Sequence, residues 1–100
     1  MTNAAQSYTK QRILDVAVRL SHKHGYTNVS RDAIAHDVGC ATGLVSYHFG
    51  TMLKLRRAVM GEAIRLRDLT IIAQGLTARD SRALGAPEEL RRAAVVKLMG

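Results

Sequence analysis

Tyr47 and His48 stand side by side near the end of a segment that opens with Thr42, Gly43 and Leu44 and carries Ser46, and Ser30 and Arg31 lie upstream of it. Hydroxyls, an imidazole and a guanidinium in such a cluster can hydrogen-bond phosphate oxygens and base edges. The cluster lacks what covalent catalysis needs. The acids are scattered as Asp15, Asp32, Asp37, Glu62, Asp68, Asp80, Glu88 and Glu89, and no nucleophile, base and orienting group can be assembled from their spacing, so no enzyme is expected. His22, His24 and His36 have no partner His, Cys or acid arranged as a known metal set, so no metal and no cofactor is expected either. Cys40 is the one cysteine; it can form no internal disulfide and suits a small buried side chain.

Elements must position these groups. Ile13, Leu14, Ala17 and Leu20 recur on one helical face, Ser7 or Thr9 supplies a start and Gly25 a stop, which predicts a helix over about residues 9–24. Ser30 can accept from the first amides of a two-turn helix, Arg31 to Val38, closed by Gly39. A third segment follows from Ala41 to about Phe49, then Gly50. Thr51 caps a longer helix through Leu55, Val59, Ala63, Leu66 and Ala73, expected to reach Gln74 or Gly75. Leu76 to Ala86 reads as a loop with about one helical turn. Pro87 suits the first position of a last helix, with Glu88 and Glu89 at its positive end and Lys97 at its negative end. That helix carries Leu90, Ala94, Val95, Val96 and Leu98, too much apolar surface for a solvated tail, so it is expected to pack on the long helix or on a second copy. No stretch alternates with period two. The expected fold is therefore all-α.

The pair of short helices has a recognisable internal logic. Ala35 lies four residues before Gly39, with Ile34, Val38, Cys40 and Val45 at apolar positions. A small residue allows close helix approach, and the glycine takes a left-handed turn, which describes a helix-turn-helix. In such a unit the second helix lies in the DNA major groove while the first crosses the backbone.

The residues Arg12–Ile13–Leu14–Asp15–Val16–Ala17, then Gly25–Tyr26, Ser30, Ile34–Ala35, Val38–Gly39 and Thr42 through Thr51, with Tyr47–His48–Phe49 the most distinctive part, resemble the N-terminal domain of TetR-type transcriptional repressors over about residues 10–60. The resemblance implies a three-helix DNA-binding domain on a long fourth helix, acting as a symmetric dimer. Carried over, it puts Thr42, Gly43 and Leu44 near base edges, Tyr47 and His48 on phosphates, and Ser30 with Arg31 near flanking phosphates. Arg31 has a second option, a guanine edge. Ser46 and Lys54 complete the expected DNA-facing set. The sequence departs from the family at Met52, where a lysine is usual, with Lys54 two residues on, and at Ala41, where a serine would cap the recognition helix. The family's large C-terminal ligand-binding lobe is not matched in these 100 residues, so a small-molecule inducer is not expected.

Charge agrees with a polyanionic partner. The net charge is +7, with five Lys/Arg and three Asp/Glu in residues 1–50 and ten and five in residues 51–100. No apolar run is long enough to span a bilayer and Met1 to Thr9 is not a secretory signal, so no membrane and a cytoplasmic location are expected. The domain reading is a DNA-binding helix-turn-helix over residues 1–50 and a dimerisation region over residues 51–100, with Leu66, Leu69, Ala73, Leu90, Ala94 and Leu98 at the homodimer interface. The functional expectation is a compact repressor of an inverted-repeat operator, autoregulatory and suited to a phage or plasmid. The alternative is an interaction module that pairs with another regulator and no longer reads DNA.

Overall fold

The computed structural model describes residues 4–100, and every regular element in them is a helix. Helix α1 (Ala4–His24) begins earlier than the residue types at Ser7 and Thr9 suggest. Ala4, Ala5 and Gln6 are good helix formers, so the helix runs through both hydroxyl residues instead of starting at one of them. Its end is as expected: Gly25 adopts φ +89°, and its amide reaches back to the Ser21 carbonyl at 2.8 Å.

Helix α2 (Arg31–Val38) opens on Ser30, whose hydroxyl accepts from the Ala33 amide at 3.1 Å, and closes on Gly39 at φ +81°. Helix α3 (Thr42–Phe49) follows with Ala41 at its cap position, extended but without a side-chain hydrogen bond. Val45 and Phe49, one turn apart, are its buried face. The two helices lean on α1 through Ile13, Ile34, Ala35 and Val45, all nearly inaccessible.

The expected long fourth helix is two helices. Helix α4 (Met52–Leu66) starts on the Thr51 hydroxyl and stops at Arg67, which is left-handed at φ 57°. Helix α5 (Leu69–Thr77) restarts at once on Asp68, whose carboxylate accepts from the Ile71 amide at 3.2 Å. A left-handed arginine costs about 1 kcal/mol. The break offsets this with two closing backbone bonds, Asp68 to Ala63 at 2.7 Å and Arg67 to Ile64 at 3.1 Å, and it folds Ile71 and Ile72 into the core.

Beyond α5, the single helical turn expected between Leu76 and Ala86 is α6 (Ser81–Leu84), opened by Asp80, while Leu76 and Thr77 complete α5. Helix α7 (Glu88–Met99) begins one residue after Pro87, which occupies the cap position. It packs on α5 of the same chain and buries Leu90 and Ala94. One buried cluster runs from Ile13 on α1 to Ala94 on α7.

Polar bridges tie the first three helices to the later ones. Gln74 on α5 accepts from the Tyr26 amide at 2.9 Å and donates to the Ser21 carbonyl at 3.1 Å. The Tyr26 hydroxyl donates to Asp80 at 3.1 Å, and Asp80 in turn opens α6. His22 pairs with Asp68. Gln11 donates at 3.0 Å to Glu62, a carboxylate only 7% exposed that Arg65 clasps through both oxygens at 2.6 and 2.9 Å. The Arg65 bonds, helped by Gln11 and opposed by burial, hold the Glu62 carboxyl below its usual range.

Two stability predictions follow from this packing. Burial first, and then the charge and hydrogen bond of Asp80, push the Tyr26 phenol from 10.0 up to about 12. A raised folded-state value favours the neutral form, so this contribution is whole below pH 10 and is lost as pH climbs through 12, by about 2 to 3 kcal/mol. Urea unfolding from pH 9 to 12 should show wild type losing that increment relative to Tyr26→Phe; parallel curves would remove it. Gly75 sits where an added Cβ would meet Met60 Cε at 2.4 Å and Ala83 Cβ at 2.7 Å. Gly75→Ala should therefore destabilise by about 1 to 3 kcal/mol in thermal or urea melts, because the α6 backbone carrying Ala83 must move.

Candidate nucleic-acid interface

Helix α3 is seated by one side and open on the other. With Val45 and Phe49 turned inward, the 3.6-residue period leaves Thr42, Gly43 and Tyr47 exposed and Leu44, Ser46 and His48 half-buried. Tyr47 is 70% exposed, and its ring meets the His48 ring edge-on at a centroid distance of 5.1 Å. Gly43 has no atom within 4 Å of where a Cβ would stand, so this part of the helix surface is clear for close approach. The predicted α3 set is thus displayed along one short helix.

Two cations flank the end of α3. Lys54, in the first turn of α4, lays its stem beside Gly50, where an added Cβ would lie 3.2 Å from Lys54 Cδ. Lys10 on α1 reaches over the Phe49 ring, with its nitrogen 5.6 Å from the centroid. Lys54 was expected from the sequence. Lys10 was not, because the contact joins α1 to α3 and leaves no periodic trace.

The start of α3 borders a cleft of about 400 Å³ lined by Ser30, Arg31, Asp32, Thr42, Met52 and Arg56. Ser30 uses one of its two hydroxyl lone pairs on the α2 cap, which leaves its hydroxyl proton and a second lone pair at the cleft. Arg31 is half-buried at the cleft wall. Met52 occupies the same wall, so the position where the family would place a cation offers a thioether instead. Arg56, one turn further along α4, brings a guanidinium there; it donates to the Thr27 carbonyl at 2.9 Å, and its Nε is buried with no partner among the described residues.

The cleft also shows a bond that spacing does not announce. The Thr42 hydroxyl donates to Asp32 Oδ1 at 2.9 Å, joining the first residue of α3 to the second of α2. Asp32 is absent from the sequence-derived site. An acid exposed at the start of α2 reads as an ordinary dipole-complementing residue, and the signal that could have found it is the ten-residue step to Thr42 across a tight turn.

Other charged residues have structural partners. Arg65 holds Glu62, Arg67 reaches Glu89 on α7 at 2.7 Å, and Asp68 serves His22 and the α5 start. Asp37 pairs with Arg19 at 3.1 Å and with His36 at 3.4 Å, and the His36 bond leads the effects that keep its carboxyl below the usual range. Of the residues expected at a dimer interface, Ala73, Leu90 and Ala94 lie in the chain's own core, Leu69 is half-buried, and Leu66 and Leu98 are exposed. Among the described residues no group of three or more His, Cys, Asp or Glu is placed to hold a metal ion, and no helix is long and apolar enough to cross a membrane.

Residues 13–59 match the family model described as bacterial regulatory proteins, tetR family. This segment is similar to the helix-turn-helix domain of that family. It runs from the fully buried Ile13 of α1 through α2 and α3 to the buried Val59 of α4. No curated protein and no solved structure matches the chain. The tetR family is one of DNA-binding transcription regulators, and the matched segment includes the whole of α3.

The chemistry of the Tyr47 and His48 side chains predicts a loss that does not depend on sequence. Tyr47→Phe and His48→Ala remove phosphate-type donors and should weaken binding to all duplex sequences alike, by roughly three- to tenfold each, in titrations against a selected and a scrambled duplex. A loss confined to the selected duplex would move either residue to base reading.

Proposed function

We propose that the chain is a sequence-specific reader of double-stranded DNA that acts as a homodimer on an inverted repeat and represses transcription by occluding a promoter. The observation that carries this reading is the α3 surface: Thr42, Ser46, Tyr47 and His48 bring hydrogen-bonding groups to a helix whose inner side is Val45 and Phe49, within a segment similar to the tetR family. A net charge of +7 supports it, because neutralising phosphates releases counterions and favours binding. Lys54 and Lys10 at one end of α3, and Arg31 and Arg56 at the other, place cations beside both ends of the reading helix.

Homodimerisation is supported by the outer surface of α7. Val95, Val96 and Met99 are exposed there, Leu98 is exposed on the side of α7 that faces α5, and Leu66 is exposed at the end of α4. An apolar stripe of this kind is what a second copy would cover. Two-fold symmetry then sets the two α3 helices one turn of DNA apart, about 34 Å or slightly more, and requires a repeat of inverted sense. The same stripe also fits the alternative, a partner regulator on α7, and the experiment separates the two.

Selection of bound fragments from random duplex DNA at about 150 mM salt, with sedimentation of the purified chain, tests the proposal. The expected outcome is an enriched inverted repeat bound by two chains, with affinity falling steeply as salt rises. The first natural copy to seek lies upstream of the protein's own gene. Enrichment of a single unrepeated site would overturn the dimeric reading, and no salt-dependent affinity for any DNA would leave the interaction module.

A further inference from the structure

We propose that Asp32 and Thr42 form a single base-reading edge that offers only acceptors to the major groove and therefore selects cytosine; this rests on the DNA reading of α3 proposed above. A threonine hydroxyl has one proton, and here it is committed to Asp32 Oδ1 at 2.9 Å. What Thr42 shows a ligand is thus its oxygen lone pairs and its methyl group. Asp32 adds a second acceptor, because Oδ2 of its exposed carboxylate has no partner among the described residues. Together the two side chains present oxygen acceptors and no donor.

The four bases answer such an edge differently. In the major groove guanine shows two acceptors, N7 and O6, and thymine shows O4 beside its methyl group. Both set lone pairs against lone pairs. Adenine offers one amino group next to the N7 acceptor, whereas cytosine offers its N4 amino group alone. Cytosine is the base whose exposed edge is matched without an opposing lone pair.

A carboxylate near a polyanion needs local compensation. Arg31 and Arg56 line the same cleft as Asp32 and Thr42 and supply it. The bond also fixes where Thr42 points, at a helix start whose cap residue, Ala41, gives no side-chain hydrogen bond. Asp32 therefore serves twice, as an acceptor for the base and as the group that sets the donor state of Thr42.

The test uses the full chain and a site from the random-duplex selection. Each enriched half-site should contain a position where cytosine is preferred over the other bases by about tenfold. Replacing that cytosine by 2-pyrimidinone deoxynucleotide, which lacks the exocyclic amino group, should weaken wild-type binding by about tenfold. Asp32→Ala should abolish the preference at that position and leave the rest of the site unchanged, and Asp32→Asn, which can donate as well as accept, should shift it toward adenine. The base analogue acts on the unaltered protein, so a variant that fails to fold does not decide the outcome. An enriched site indifferent to the amino group, or an Asp32→Ala protein with the wild-type preference, overturns the cytosine edge alone. Absence of any enriched sequence overturns the DNA reading and this inference with it.

Discussion

The direction of α3 depends on how α1 ends. At Gly25 the chain turns through a left-handed residue, and Tyr26 then drops its ring into the core with its amide on Gln74 and its hydroxyl on Asp80. A buried aromatic side chain is worth about 2 to 3 kcal/mol, a hydrogen bond between neutral groups about 1 kcal/mol and one to a carboxylate about 1.5 to 3 kcal/mol, a substantial part of the 5 to 15 kcal/mol that holds a small domain folded. Both polar partners belong to the second half of the chain. Helices α5 and α6 therefore act on the orientation of α2 and α3 by fixing the turn from which Val29, Ser30 and α2 depart.

The same turn explains why the core is continuous. Helix α1 faces α2 and α3 with Ile13 and Ala17 and meets α4 and α5 along its length, so it is wall to both halves. Polar links run beside the apolar contact: Glu62 with Gln11 near the start of the helix, Asp68 with His22 near its end. Glu62 is the more demanding of the two, since a carboxylate removed from water is tolerable only with its charge answered, and the fork of Arg65 answers both oxygens.

What the sequence discloses follows from the range of the interactions involved. Helices α2 and α3 are legible because their limits are local: Ser30 caps within three residues, Gly39 and Gly50 end helices by conformation, and the inward pair Val45 and Phe49 has helical spacing. The end of α4 is not legible in the same way. Leu66 and Ala73 are seven residues apart, which keeps the apolar stripe in phase across the break, and the left-handed residue is an arginine instead of a glycine. Asp68 was the available signal, a capping residue in mid-pattern. On the open side of α3, the identities of Thr42, Tyr47 and His48 can be read from the chain, but the donor state of Thr42 cannot. It is set by Asp32, across a turn whose geometry brings together residues ten apart.

Helix α7 shows how one apolar pattern divides between two demands. Its period can turn one stripe toward α5, and Leu90 and Ala94, four residues apart, take that place. Val95 and Val96 lie about 100 and 200 degrees around the axis from Ala94, so burying Ala94 exposes Val96. Burial of Leu90 and Ala94 and exposure of Val96 thus have one cause. Sequence pattern alone pools these residues into a single sticky surface; the intramolecular packing sorts them, turning Leu90 and Ala94 toward α5, with Leu98 four residues further along the same side, and leaving Val95, Val96 and Met99 as an outer stripe. Any interface on this helix must be built from that outer stripe, and because α5 also carries Gln74, whatever covers the stripe bears on the helix that holds the Tyr26 turn.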